Sequence, residues 1–202
     1  MAIKNIQILG GLGAVAVLFI LFMTWFYPFS HFSLFKSYTY KPTEVLYHND
    51  KTYEDILNKF TESYEKDLVK EMETYSGSDL DLTVMQTQYI LPVFEQEWLI
   101  GTDPVSMDKI SLDEMLVDVI QSRKTLLSLV TKEDYSREVK VYLVDTINNF
   151  LRLEEEIWYI KNGKYFSRNE LNHLFGNLRN SFRSNFDIFA TTFYETSRLQ
   201  RR

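Results

Sequence analysis

Apolar positions along the chain follow two different rules. Residues 6–27 form an apolar run uninterrupted by charge, with glycines and no polar face. From about residue 50 onward, apolar residues instead recur at steps of three and four. The first rule predicts one helix that is hydrophobic on all sides, and the second predicts amphipathic helices that share a core. As a helix, the 6–27 run would be about 33 Å long, enough to cross a hydrocarbon layer of about 30 Å. No Lys, Arg, Asp or Glu lies between Lys4 and Lys36. Pro28 stops the helix because it lacks an N–H and disfavours helical geometry at Tyr27. Trp25, Phe26, Tyr27, Phe29 and Phe32 crowd that end, in the manner of an interfacial aromatic belt. A cleaved signal peptide has a shorter apolar core and a small-residue cleavage site, and a lipid-modified N-terminus needs a cysteine. Neither is present, so the expectation is an uncleaved, single-pass transmembrane signal-anchor over residues 1–28.

Residues 29–47 read as an aromatic juxtamembrane linker broken by Pro42, and residues 48–202 as a helical-bundle domain. Ile56, Phe60, Tyr64, Leu68, Met72 and Tyr75 define a first amphipathic face, closed by Ser76-Gly77-Ser78, with Ser78 or Asp79 able to cap the next helix. That second helix is expected over about 80–100, kinked at Pro92, with a pocket beneath Tyr89, Val93 and Trp98 or a junction of two shorter helices there. After a turn at residues 101–104, Ser111-Leu112-Asp113-Glu114 spells a capping box flanked by Ile110 and Met115. The third helix carries Leu112, Leu116, Val119, Leu126 and Val130. The fourth carries Tyr135, Val139, Tyr142, Thr146, Phe150, Leu153, Ile157 and Ile160, and ends at Asn162-Gly163. Ser167-Arg168-Asn169-Glu170 is a second capping box with Phe166 and Leu171 as its staple. Beyond it Leu171, Phe175, Leu178, Phe182, Phe186, Phe189 and Phe193 form one long stripe. No alternating strand pattern stands out, so the fold class is all-α: one N-terminal transmembrane helix and an antiparallel bundle of about five helices.

Composition adds location but little chemistry. With 45% hydrophobic and 25% charged residues, the part beyond the anchor has ordinary globular content. Its charge is uneven. Residues 1–42 carry three Lys and no acid, residues 43–120 carry 18 acids against 5 Lys, and every arginine lies at or after Arg123. Either acidic and basic helices pack side by side, or each face meets a partner. A net charge of −6 argues against nucleic acid, which recruits basic surfaces. Near the anchor, the terminal amine and Lys4 balance Lys36 and Lys41, so charge gives no direction. A short N-terminal tail favours translocation of the chain beyond the anchor, so the domain is expected outside the cell membrane.

The chain has no cysteine, no nucleophile elbow, no phosphate-binding glycine loop and no H-E-x-x-H motif. Glu170-x-x-His173 has the spacing used in di-iron bundles, but no second copy exists and the capping box already accounts for Glu170. Asp79-x-Asp81 lacks the glycine and closing glutamate of a calcium loop, and Glu154-Glu155-Glu156 reads as a solvated face. No cofactor and no metal are expected. Gly10, Gly13 and Ala14 place small residues on the anchor at a spacing that allows two helices to approach, a self-association signal for a homodimer. The expected function is that of a non-catalytic, membrane-anchored interaction or scaffold protein with the lipid bilayer and a protein as partners. The alternative is an extracytoplasmic small-ligand sensor that signals through another membrane protein.

Overall fold

The aromatic ladder near the C-terminus is the axis of the domain. In the computed structural model, which describes residues 2–43, 46, 50–74 and 80–200 and the side chains of the first helix from Gly11 onward, every member of that ladder is buried. It lies on α7 (Arg168–Asp187) and on a π-helical segment, Ile188–Tyr194, that continues into α8 (Glu195–Gln200). Around it the chain runs α1 (Ala2–Phe26), β1 (Ser37–Tyr40), α2 (Tyr53–Thr74), α3 (Leu82–Thr87), a 3-10 turn at Leu91–Phe94, α4 (Glu97–Ile100), β2 (Val105–Asp108), α5 (Lys109–Lys132) and α6 (Arg137–Asn162). The fold is all-α in class, with one small sheet.

Burial is the reason these elements pack as they do. Phe186 meets Tyr53, Phe60 and Phe94 with ring centroids 5.7, 5.5 and 5.3 Å away. Those contacts join α2 and the 3-10 turn to α7 in the offset and edge-on geometries that aromatic quadrupoles favour. The α5 and α6 helices form an antiparallel hairpin, held along its seam by Arg123 donating to both oxygens of Glu154 and by Lys161 on Asp113. Asp67 of acidic α2 pairs with Arg198 of α8 at 2.8 Å. Acidic and basic segments therefore pack on one another at two places, Asp67–Arg198 and Asp113–Lys161.

Four sequence expectations are corrected. A strand exists where none stood out: β1 pairs antiparallel with β2, Tyr38 opposite Met107 and Tyr40 opposite Val105. With only four residues each, and Tyr38 and Tyr40 turned inward, these strands are too short for alternation to register. The stretch 80–100 is not one kinked helix but, close to the alternative of two shorter helices meeting at Pro92, α3, the 3-10 turn and α4, with Pro92 in the first turn of the middle piece, where its missing N–H costs nothing. The helix at 109 begins earlier than the first capping box implies. Asp108 is its N-cap, accepting from Ser111 N at 2.8 Å and Ser111 Oγ at 3.0 Å, while Ile110 is exposed rather than stapled. Met72 and Val130, assigned to core faces, are exposed.

Other expectations hold. The second capping box has both reciprocal bonds, Ser167 Oγ accepting from Glu170 N and Glu170 Oε2 accepting from Ser167 N. The α6 stripe is buried apart from half-buried Tyr142. Ser76-Gly77-Ser78, Tyr75 and Asp79 lie outside the described residues. The expected transmembrane helix is not among the expectations that hold: among the described residues no helix is long and apolar enough to cross a membrane.

Candidate functional site at the foot of the first helix

From Gly11 to Phe19, every residue of α1 is exposed, on all sides of the helix. Leu12, Val15, Leu18, Phe19, Leu21 and Phe22 are among the large apolar side chains left uncovered. Among the described side chains of α1, the buried one is Met23, near the C-terminal end, where the domain grips the helix. A contiguous apolar surface of this size is uncommon on a monomeric protein.

Two segments form the grip. The first is the loop after Pro28, which folds back along the helix. Thr24 Oγ1 accepts from Leu34 N at 3.0 Å, and the Phe32 ring stands edge-on to Phe19 with centroids 5.3 Å apart. Ser33 Oγ accepts from Lys36 N at 3.3 Å, and Lys36 takes a left-handed φ of 48° as the chain turns into β1. The second is the start of α7. The Arg168 guanidinium lies 4.8 Å over the Trp25 ring, and its Nε donates to the Trp25 carbonyl. That carbonyl is one of the helix-end acceptors without an intrahelical partner, so a cation there suits both hydrogen bonding and the helix dipole. The capping box fixes the backbone of Arg168. The turn before it is tight because Gly163 has no Cβ: one would overlap the Phe166 ring, which packs tilted against Tyr159 with centroids 5.2 Å apart.

The expected interface residues divide here. Trp25, Phe26 and Phe32 are 63%, 47% and 50% exposed and Tyr27 is half-buried, but Phe29 is only 2% exposed. Phe29 is a correction. It packs edge-on against Phe175 at 6.5 Å, with Tyr38 stacked on the same ring at 5.8 Å. These contacts carry the foot of α1 into the core ladder. Burial raises the Tyr38 phenol, partly offset by Arg168, so it remains a neutral donor to Asn172 Oδ1 at 3.3 Å. Of the other linker aromatics expected near a headgroup layer, Phe35 is 77% exposed while Tyr38 and Tyr40 are buried. Nothing lies within 4 Å of where a Cβ on Gly13 would stand, Ala14 is exposed, and the side of α1 at Gly10 lies outside the described side chains.

The remaining candidates resolve into structural roles. Glu170 serves the capping box, His173 is exposed, and no metal-holding cluster occurs among the described residues. Asp81 caps α3 by accepting from Thr83 N at 2.9 Å and Val84 N at 3.3 Å. Of the three consecutive glutamates, only Glu155 is a plain solvated residue; Glu154 holds Arg123 and Glu156 is half-buried against Ser181. Val93 and Trp98 fill the core, Trp98 edge-on to Phe182 at 5.4 Å, so side chains occupy the space expected to open beneath Pro92.

Two residues that sequence reasoning passed over stand out. Arg179 and Arg183, both buried in α7, donate to the carbonyl oxygens at the end of α4. Arg179 reaches Trp98 O at 3.0 Å, Leu99 O at 3.1 Å, Gly101 O at 2.7 Å and Thr43 O at 2.6 Å, while Arg183 reaches Leu99 O and stacks 4.9 Å over Tyr53. Their signal was a cation on the apolar side of a stripe. No protein-family model, curated protein or solved structure matches the chain.

Proposed function

We propose that this protein is a membrane-anchored helical scaffold, which presents its bundle at a bilayer surface to a protein partner and performs no catalysis. The observation that carries the reading is the apolar surface of α1, exposed on every side from Gly11 to Phe19 yet bolted at its foot to a well-packed domain. Leaving that much apolar area in water costs about 25 cal/mol per Å², so a hydrophobic environment is the favourable place for it. The charge-free sequence from residue 5 to residue 35 supports insertion in lipid, where a helix satisfies its own backbone. The domain is assigned to the extracytoplasmic side, and Gly10, Gly13 and Ala14 to a seam through which two anchors pair.

Carbonate extraction of cells expressing the full chain, with a C-terminal reporter assayed on each side of the membrane, tests the reading. Retention in the carbonate pellet with the reporter outside is expected. Release into the supernatant would overturn the anchor, and a reporter active only inside would overturn the orientation. Crosslinking in intact membranes before detergent extraction tests the scaffold role: a stoichiometric partner is expected, and recovery of the chain alone would count against it.

A further inference from the structure

Two of the chain's acid-free stretches meet at the foot of α1. Residues 1–43 contain no Asp or Glu, and neither do residues 157–169, although the whole chain carries 28 acids. The described part of the first stretch near the domain offers exposed Phe32, Leu34, Phe35 and Lys36. The second offers exposed Lys164 and Tyr165 beside Arg168. Arg168 on Trp25, Leu34 on Thr24 and Phe32 on Phe19 place both stretches around one helix end. Phe32 reaches Phe19, seven residues before the last of α1, so the loop rises alongside the helix rather than leading away from it.

We infer that these two stretches form a collar that seats in the headgroup layer and binds anionic phospholipid through Lys36, Lys164 and Arg168. The inference rests on the anchoring reading above and goes beyond it: the domain docks on the bilayer by a defined face instead of swinging on a tether. The chemistry is that of interfacial binding. Aromatic rings favour the headgroup zone, and cations beside it are drawn to anionic lipid. Phe32, Leu34 and Phe35 supply apolar area where α1 leaves the domain, and the acids beside this face, Asp108 opposite Ser37 and Glu170 near Arg168, are engaged as helix caps by Ser111 and Ser167. Arg168 has a second duty here, since its guanidinium already holds the Trp25 carbonyl and has further N–H donors to offer a phosphate.

Because the chain lacks cysteine, single nitroxide labels test this directly in the full-length protein in nanodiscs. Labels at Phe35→Cys and Tyr165→Cys are compared with Val17→Cys on α1 and Val69→Cys on α2, each an exposed position. Power saturation against oxygen and a water-soluble nickel chelate reads depth. The expected result is lipid exposure at Val17, interfacial depth at Phe35 and Tyr165, and an aqueous reading at Val69. Discs with about a third anionic lipid should draw the Phe35 and Tyr165 labels deeper than zwitterionic discs, and Lys36→Glu with Lys164→Glu should abolish that difference. A Val17 label in lipid with aqueous readings at Phe35 and Tyr165 would overturn the collar alone. An aqueous Val17 label would overturn the anchor. Equal depth in both kinds of disc would overturn the anionic-lipid assignment.

Discussion

Arg168 holds Trp25 in two ways at once, with its guanidinium 4.8 Å over the indole ring and its Nε on the backbone carbonyl of the same residue. The two contacts use different parts of one planar group, which a lysine ammonium cannot reproduce. Arg168→Ala is expected to loosen α1 from the domain while leaving the bundle folded, because the ladder on α7 begins beyond it at Leu171. A cation–π contact at such a site contributes about 1 kcal/mol, so opening at the foot should rise about fivefold. Hydrogen exchange at the Leu34 amide, which is bonded to Thr24, reads that opening. Arg168→Lys should restore little of it, and full protection in the lysine variant would contradict the two-contact account.

The arginine pair inside α7 predicts a much larger effect. Arg179 closes the C-terminal end of α4 with bonds to the carbonyl oxygens of Trp98, Leu99 and Gly101. A hydrogen bond to a charged group contributes about 1.5–3 kcal/mol, and acceptors left buried without a donor add their own cost. Arg179→Leu should therefore lower stability by about 3 kcal/mol or more. Chemical denaturation of the detergent-solubilised chain, followed by far-ultraviolet circular dichroism, measures this. A loss below about 1 kcal/mol would mean that the carbonyls find other donors.

The start of α5 separates two readings of one segment. With Asp108 as N-cap, Asp108→Ala should cost about 1 kcal/mol. Ser111 donates its hydroxyl to Asp108 and caps nothing itself, so Ser111→Ala should cost clearly less. A denaturation midpoint that falls more for Ser111→Ala than for Asp108→Ala would restore the capping box that the sequence suggests.

That segment also illustrates how much of this protein is legible in its sequence. Long stripes were readable because a helix repeats its environment every three or four residues: the α6 and α7 stripes were assigned from spacing and are buried. The capping box at Ser167 was readable because no rival Ser, Thr, Asp or Asn stands between it and Gly163, which ends α6. At Ser111 the same motif misled, since Asp108, three residues earlier, is an equally good cap and the strand before it sets where the helix starts. The short strands and the three pieces of 80–100 are specified by tertiary contacts, such as Tyr53 Oη donating to Phe94 O at 2.9 Å, rather than by local periodicity. At the site, Trp25 and Phe32 were singled out from the aromatic cluster alone. Arg168 was not, because its partner lies 143 residues away in sequence. Phe29 was misassigned because an aromatic beside an apolar helix suits a headgroup layer and a core equally well.

Glu156 supplies the final prediction. Burial raises its carboxyl above the ordinary value, and the Ser181 hydroxyl, 3.1 Å from Oε1, offsets only part of that. Burial raises Glu95, with Glu65 adding to it, and Asp118 in the same direction. A carboxyl with a raised folded value keeps its proton after the unfolded chain has released it, so the native state binds more protons in that interval and stability falls as pH rises. The loss begins as pH passes the ordinary carboxylate value and is complete above the raised one. Asp55 and Glu170 act oppositely: hydrogen bonds from Thr52 and Ser167 lower them, so their contribution is present at neutral pH and lost as pH falls through their lowered values. Stability should therefore decline on both sides of a maximum in the acidic range. Glu156→Gln keeps an oxygen for Ser181 and removes the charge, so it should flatten the slope above the maximum and leave the acid side unchanged. Denaturant midpoints for the two proteins between pH 3 and pH 8 decide it: the variant should gain at neutral pH and coincide with the parent at the acidic end, and a gain of equal size at every pH would assign the effect to packing instead of titration.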